Sequence, residues 1–357
     1  MANPFQGDLG LQFTIHIAHH YTVPELVELA ALAHDKGFAQ VWVNDNLLTR
    51  NIFVVLAAMA AKVPIKLGTA IMVPYFRNPV DVADSIAAIT ELTDGREFSI
   101  GIARGAEAIA GKQIDPQKPL TTVREAVTSI KALLAGDTVS FRDYPQLADY
   151  FHLNPNWPFT LEFAAKAPVR FYSGGNGPRI LNIAGKVMDG ILIGGNYIPQ
   201  ALTNRLEPIL GPARDVAARE QPGTKMYDTC ELNVSLSRDR DRALQFAKPY
   251  VSHMLLTLNA MGFSDDEFRT ISVEPALVQT LEEAFAGGAS VQEAAAMVPD
   301  SAVRSCFVAG TPEECREQVI ELMELAEKLA FSQVSFAKLG PDYAEAITLL
   351  RNEVLPR

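Results

Sequence analysis

A chain of 357 residues, 48% of them hydrophobic and 20% charged, has the material for a substantial core and is not a disordered polymer. Its net charge of −11 is spread along the chain, which excludes the clustered Lys and Arg of a nucleic-acid groove. Cys230, Cys306 and Cys315 lack metal-ligand spacing, so no metal is expected and the thiols read as packing residues in a reducing, cytoplasmic setting.

The first ten residues show no charged-then-apolar leader, and no apolar run approaches membrane-spanning length. From there, strand-like and helix-like patterns alternate. "LQFTIHI" (11–17) precedes a helical period over 24–37, and "AQVWVND" (39–45) precedes one over 52–63. "IKLGTAIM" (65–72) leads to a helix over 79–95, and "EFSIGIA" (97–103) to one over 119–136. Further strands are predicted over 169–173, 190–195, 229–237 and 331–339, each with a helix-like pattern after it. They are short, β-branched and apolar on both faces, as in a buried parallel sheet.

Eight strand–helix units fit an α/β fold of the closed (β/α)8 TIM-barrel type, and the rival is a doubly wound open sheet. The barrel is preferred because no linker or composition break divides the units, so residues 1–357 are expected to form one domain. The stretch 137–168 reads as an excursion, and 256–302 as a helical insertion before the last unit. "TPEEC" places Thr311 as N-cap, Pro312 at the first helical position and Glu314 as its capping-box partner, a device that predicts no chemistry. "TVPE" at 22–25 is a looser case of the same kind.

In a barrel the active site lies at the carboxyl ends of the strands. Those ends carry His16, His19 and His20 after strand one, Asp45, Asn46 and Arg50 after strand two, "AIMVPYFRNP" at strand three and "ARGAEA" at strand four. Strand five ends in "SGGNGP" and opens a helix at Pro178. Helix-start amides have no internal partners, and glycines let an anion approach them, so a phosphate fits there. The spacing matches neither the nucleoside-triphosphate loop nor the dinucleotide fingerprint, and a plain turn is the alternative.

Together, "GFAQVWVNDN", "KLGTAIMVPYFRNP", "LTDGREFSIGIARG", "TTVREAV", "GGNGPRILNIAGKVMDGILIGG" and "VAGTPEEC" resemble the bacterial-luciferase-like superfamily of flavin and deazaflavin oxidoreductases. "NDNLLTRN" and "VPYFRNP" are most similar to its branch using coenzyme F420, which includes methylenetetrahydromethanopterin reductase. The resemblance spans roughly residues 11–340. It implies a (β/α)8 barrel with the ring system over the strand ends, usually as a homodimer, and a strand-three bulge whose non-prolyl cis peptide, here Ala70–Ile71, backs the ring. An ordinary trans strand is the plain alternative.

The resemblance also implies roles. Asp45 hydrogen-bonds the polar edge of the ring, unless it merely caps a helix. Relatives carry His after that Asp; Asn46 stands there instead and cannot titrate, so proton handling passes to His19 or His20, with Glu107 as a possible acid. Histidines on the surface and a solvated Glu107 are the bland readings. The amides of Arg104 and Gly105 approach the ring, and Ser173, Gly174, Gly175, Asn176 and Gly177 cradle the cofactor phosphate. Arg77, Arg104 and Arg179 are candidates for the remaining negative charge, and Asn196 and Tyr197 for the pocket wall.

The expected function is hydride transfer between F420 and a small organic substrate. An FMN-dependent monooxygenase using reduced flavin and oxygen is the alternative on the same fold, and a barrel that binds ligand without turnover is a third reading, prompted by the lost His.

Overall fold

The larger of two units, Asp8–Ile193 with Ile209–Thr229, carries a run of parallel strands in sequence order. These are β1 (Asp8–Phe13), β2 (Gln40–Val43), β3 (Lys66–Met72), β4 (Phe98–Ile102), β5 (Val169–Ser173) and β6 (Gly190–Gly194), each paired with its predecessor. Sequential order is what a barrel requires and a doubly wound sheet, which reverses at a switch point, does not show. The other unit, Met1–Gly7, Gly194–Pro208 and Cys230–Arg357, holds β7 (Thr229–Leu236) and β8 (Gln333–Ala337). A helix follows each of the eight strands along the chain, giving the (β/α)8 barrel fold class. This computed structural model describes residues 3–15, 20–105, 114–175, 177–194, 199–260 and 262–356.

Local chemistry sets the helix starts. Thr22 and Glu25 form a reciprocal capping box ahead of helix Val23–Asp35. Asn51 and Asn78 accept from the first amides of helices Ile52–Ala60 and Pro79–Glu91. Thr311 donates its amide to Glu314 at 3.0 Å, with Pro312 opening helix Pro312–Lys328 as expected.

Inside the larger unit, Trp42, Ala70, Tyr172 and Leu192 form one buried cluster, with the Trp42 and Tyr172 rings edge to face at 5.4 Å. Gly68 makes room for that indole, since a Cβ there would lie 2.8 Å from its ring.

β1 begins and ends earlier than the pattern over 11–17 suggests. Its pairing with β2 starts at Gly10↔Gln40, and Thr14 and Ile15 are no longer strand. The excursion 137–168 contains a two-residue antiparallel pair, Val139–Ser140 with Pro158–Phe159, and the short helix Pro145–Phe151. The insertion is helical as expected: Asp265–Thr270, Pro275–Ala286, Val291–Met297 and Asp300–Cys306 share an apolar core with helix Arg240–Ala260. One element escaped the sequence: Val308–Gly310 is a short strand parallel to β7. Among the described residues, no helix is long and apolar enough to cross a membrane.

Candidate active site at the strand ends

β3 is interrupted where the reading places its bulge. Thr69 pairs with Ile100 and Met72 with Ile102, so Ala70 and Ile71 together oppose the single residue Gly101. The Ala70–Ile71 peptide is cis.

Neighbours hold the backbone of this bulge at four points. Gln12, buried in β1, donates its side-chain amide to the Ala70 carbonyl at 2.9 Å. The Asp45 amide donates to the Ile71 carbonyl at 3.0 Å, and the Ala103 amide to the Met72 carbonyl at 3.4 Å. The Val73 amide donates to Asp45 Oδ2 at 3.3 Å.

Glycines seat its side chains. A Cβ on Gly174 would come within 2.4 Å of Ile71 Cγ2, and one on Gly105 within 2.4 Å of Val73 Cγ2. Gly105 also adopts φ 72°, where a side chain is strained in any case. Gly101 fits for the same reason, its Cβ position lying 2.4 Å from the Thr69 carbonyl and from Leu192 Cδ1.

Asp45 is fully buried, and its carboxylate is gripped by Arg77 at two points, Nη1 to Oδ2 at 2.7 Å and Nη2 to Oδ1 at 3.2 Å. Burial raises the Asp45 pKa above the usual carboxylate value, with the guanidinium and the Val73 amide pulling the other way. Arg77 lies over the Phe53 ring at 5.3 Å, so its charge is spent inside the protein rather than offered to an anion.

The glycine-rich stretch divides in two. The Gly174 amide continues the sheet by donating to the Ile102 carbonyl at 3.0 Å, and the Gly175 amide donates to Ser173 Oγ at 3.3 Å. A Cβ on Gly175 would meet Ile180 at 2.9 Å. Gly177 differs: it is the N-cap of helix Pro178–Val187, that helix has no side-chain cap, and a Cβ at Gly177 would meet nothing within 4 Å. The open position in this stretch is therefore the helix start at Gly177, while Gly174 and Gly175 pack against Ile71 and Ile180.

Arg104 is exposed beside Gly105. Asn46 is half-buried, its carbonyl accepting from the Thr49 hydroxyl at 2.7 Å in a tight turn. His20 is exposed, its ring 4.1 Å from that of Tyr21. His19, Glu107, Asn176, Asn196 and Tyr197 lie outside the described residues. Sequence reasoning missed Gln12, although a glutamine amid an apolar strand was a legible signal. It also missed the pair Tyr75 and Tyr150, whose rings meet edge to face at 5.3 Å above Val73. The Tyr75 hydroxyl donates to the Gln117 carbonyl at 2.9 Å.

The family model for the luciferase-like monooxygenases matches residues 9–327. The chain belongs to that family. Among relatives, 5,10-methylenetetrahydromethanopterin reductase of Methanolobus tindarius is 27% identical over 348 residues, covering 97% of this chain and 100% of the relative. An F420-dependent glucose-6-phosphate dehydrogenase of Amycolatopsis mediterranei is 22% identical, with 95% and 96% covered. In fold, the chain is similar to the solved coenzyme F420-dependent tetrahydromethanopterin reductase of Methanopyrus kandleri, with a TM-score of 0.74, 21% identity and 98% of both chains covered.

Proposed function

We propose that this chain is an F420-dependent oxidoreductase that transfers a hydride between the deazaflavin and a small organic substrate at the β2–β5 strand ends. The observation that carries it is the braced β3 bulge standing beside an uncapped helix mouth. Full-length relatives named for F420-dependent reactions support the choice of cofactor.

The residues fit such a group. Gly177 leaves open space before the first amides of a helix, which suits a phosphate, and Arg104 and Arg179 are exposed cations in an acidic protein. Ile71 is half-exposed on a bulge held at four backbone points, which suits a flat ring needing a fixed apolar backing. When bound, the deazaflavin supplies or accepts hydride at its ring carbon 5. This chain's own part is to hold the tail at Gly177, to press Ala70 and Ile71 against the ring, and to orient the substrate through Asn46. The Arg104 and Gly105 amides and Asn176 complete the cofactor contacts, while Ser173, Gly174 and Gly175 shape the turn that leads to the helix mouth. Proton handling falls to His19, His20 or Glu107. The protein acts as a cytoplasmic homodimer built from one barrel domain per chain.

The test is titration of the apo protein with F420 and with FMN, followed by fluorescence quenching. F420 binding without FMN binding supports the proposal. Binding of FMN alone would favour the second reading, a flavin monooxygenase, which the family's own designation motivates. Gly177→Val is the companion variant. Its backbone, φ −76° and ψ 153°, suits valine, so apo stability should stay within about 0.5 kcal/mol of wild type while F420 affinity collapses. Unchanged affinity would remove the helix mouth from the site.

A further inference from the structure

We propose that Arg77 is a positioning residue of this site, acting through the Asp45 carboxylate to fix the β3 bulge on which the ring rests. The inference depends on the functional reading above for what the bulge faces, and on geometry alone for what holds it.

Asp45 touches the bulge at both ends. Its amide donates to the Ile71 carbonyl at 3.0 Å, and its Oδ2 accepts the Val73 amide at 3.3 Å. A carboxylate can serve as such a bracket only if its side chain has a single orientation. Arg77 supplies that through two parallel N–H···O contacts at 2.7 and 3.2 Å, the planar fork that Lys cannot reproduce. Phe53 in turn supports the guanidinium, 5.3 Å from its ring centroid. The pair is shielded, with side-chain exposures of 10% for Arg77 and 0% for Asp45, so neither group is satisfied by bulk water. Arg77 and Asp45 are 32 residues apart, which joins the chain just after β2 to the chain just after β3.

The chain of contacts runs from Phe53 to Arg77, to Asp45, to Ile71 and Val73, and ends where Ile71 meets Gly174 and Val73 meets Gly105. Loss of Arg77 leaves a buried carboxylate without its counter-charge, which must then draw in water, take up a proton or turn away from the Val73 amide. The consequence is a bulge that is present but loose.

The experiment compares Arg77→Met, Arg77→Lys and the double variant Arg77→Met/Asp45→Asn with wild type. The double variant removes both charges and keeps an oxygen acceptor for the Val73 amide. Two measurements are made. Hydrogen exchange on the protein without cofactor reads the Asp45 and Val73 amides against that of Gly174, which donates to Ile102. F420 affinity is read by fluorescence quenching.

Arg77→Met is expected to speed exchange at Asp45 and Val73 at least tenfold with Gly174 unchanged, and to weaken F420 binding about tenfold, the lower end of what losing an outer partner costs at metal sites. Arg77→Lys should fall between Arg77→Met and wild type. The double variant should return exchange at Asp45 and Val73 to within about threefold of wild type. If Arg77→Met does not fold, the double variant and Arg77→Lys carry the same comparison.

Unaltered exchange at Asp45 and Val73 in Arg77→Met overturns the proposal. So does a double variant whose Asp45 and Val73 amides exchange as fast as in Arg77→Met, since loss of the counter-charge would then not be what loosens the bulge. A lowered melting temperature with unchanged affinity in the folded protein would make the pair structural only and also overturns it. Wild type binding neither F420 nor FMN is a different failure: it removes the functional reading, while the exchange data still decide whether Arg77 holds the bulge.

Discussion

Replacing Gly174 by Ala tests whether the glycine is there for Ile71. The added Cβ would lie 2.4 Å from Ile71 Cγ2, about 1 Å inside the 3.4–4 Å range of ordinary contact. Neighbours offer little retreat, because Gly101 and Gly174 both flank that methyl and the Ile71 carbonyl is tied to the Asp45 amide. Inserting one methyl into such a contact costs about 1–3 kcal/mol. Gly→Ala returns about 0.4–1 kcal/mol by restricting the unfolded chain. Gly174 is not in the left-handed region, so no further backbone penalty applies. The net expectation is a loss of about 1–2 kcal/mol, read as a lower urea midpoint at unchanged slope. Ile71→Ala removes the opposing methyl, so the double variant should be more stable than the sum of the two single losses by about 1 kcal/mol. Wild-type stability for Gly174→Ala, or strict additivity in the cycle, would refute the reasoning.

Three other outcomes follow from burial. Cys230, Cys306 and Cys315 are buried and each thiol is pushed up to about 12 by that burial, so native protein at pH 8 should react with a thiol reagent about a thousandfold slower than denatured protein; rapid native labelling of any of them would contradict their packing. Glu125 is buried in helix Pro119–Leu134, and its Oε2 accepts the Gln146 and Leu147 amides at 3.0 and 3.2 Å, so Glu125→Ala should cost about 1–3 kcal/mol by orphaning the start of helix Pro145–Phe151. Burial raises the Glu125 pKa above the ordinary 4.5, so the folded state prefers the protonated form. The stability of wild type relative to Glu125→Gln should therefore fall as pH rises from about 4.5 through the folded-state pKa, and urea unfolding across pH 4–8 showing the opposite slope would refute the assignment.

The strands were most legible where both ends carry clear punctuation. The stretch 169–173 is β5 to the residue, and 65–72 differs from β3 by one, because Pro168 and Gly174 or Pro64 bound them. β1 was misjudged at both ends. Gly10 is a poor strand former held by pairing with β2 and Asp8 reads locally as a turn residue, while the apolar alternation continuing toward Ile17 pointed past the strand's real stop at Phe13. Val308–Gly310 is strand only through its pairing with β7, and its glycine reads locally as a breaker. At the site, the positions of Asp45, Ala70 and Ile71 were legible from motif and strand order. The Arg77–Asp45 pair was not, because no periodicity links residues so far apart, and Arg77 looked like a cation awaiting an anionic ligand. The glycines at 174 and 175 were recognised as close-approach positions, but what approaches them is Ile71 and Ile180.

The helices between Asp265 and Cys306 bring their own apolar interior, built around Phe263, Phe268, Val278, Leu281 and Phe307 against one side of Arg240–Ala260. A segment that is internally solvent-shielded can be lengthened, trimmed or exchanged during evolution at a cost confined to that interior.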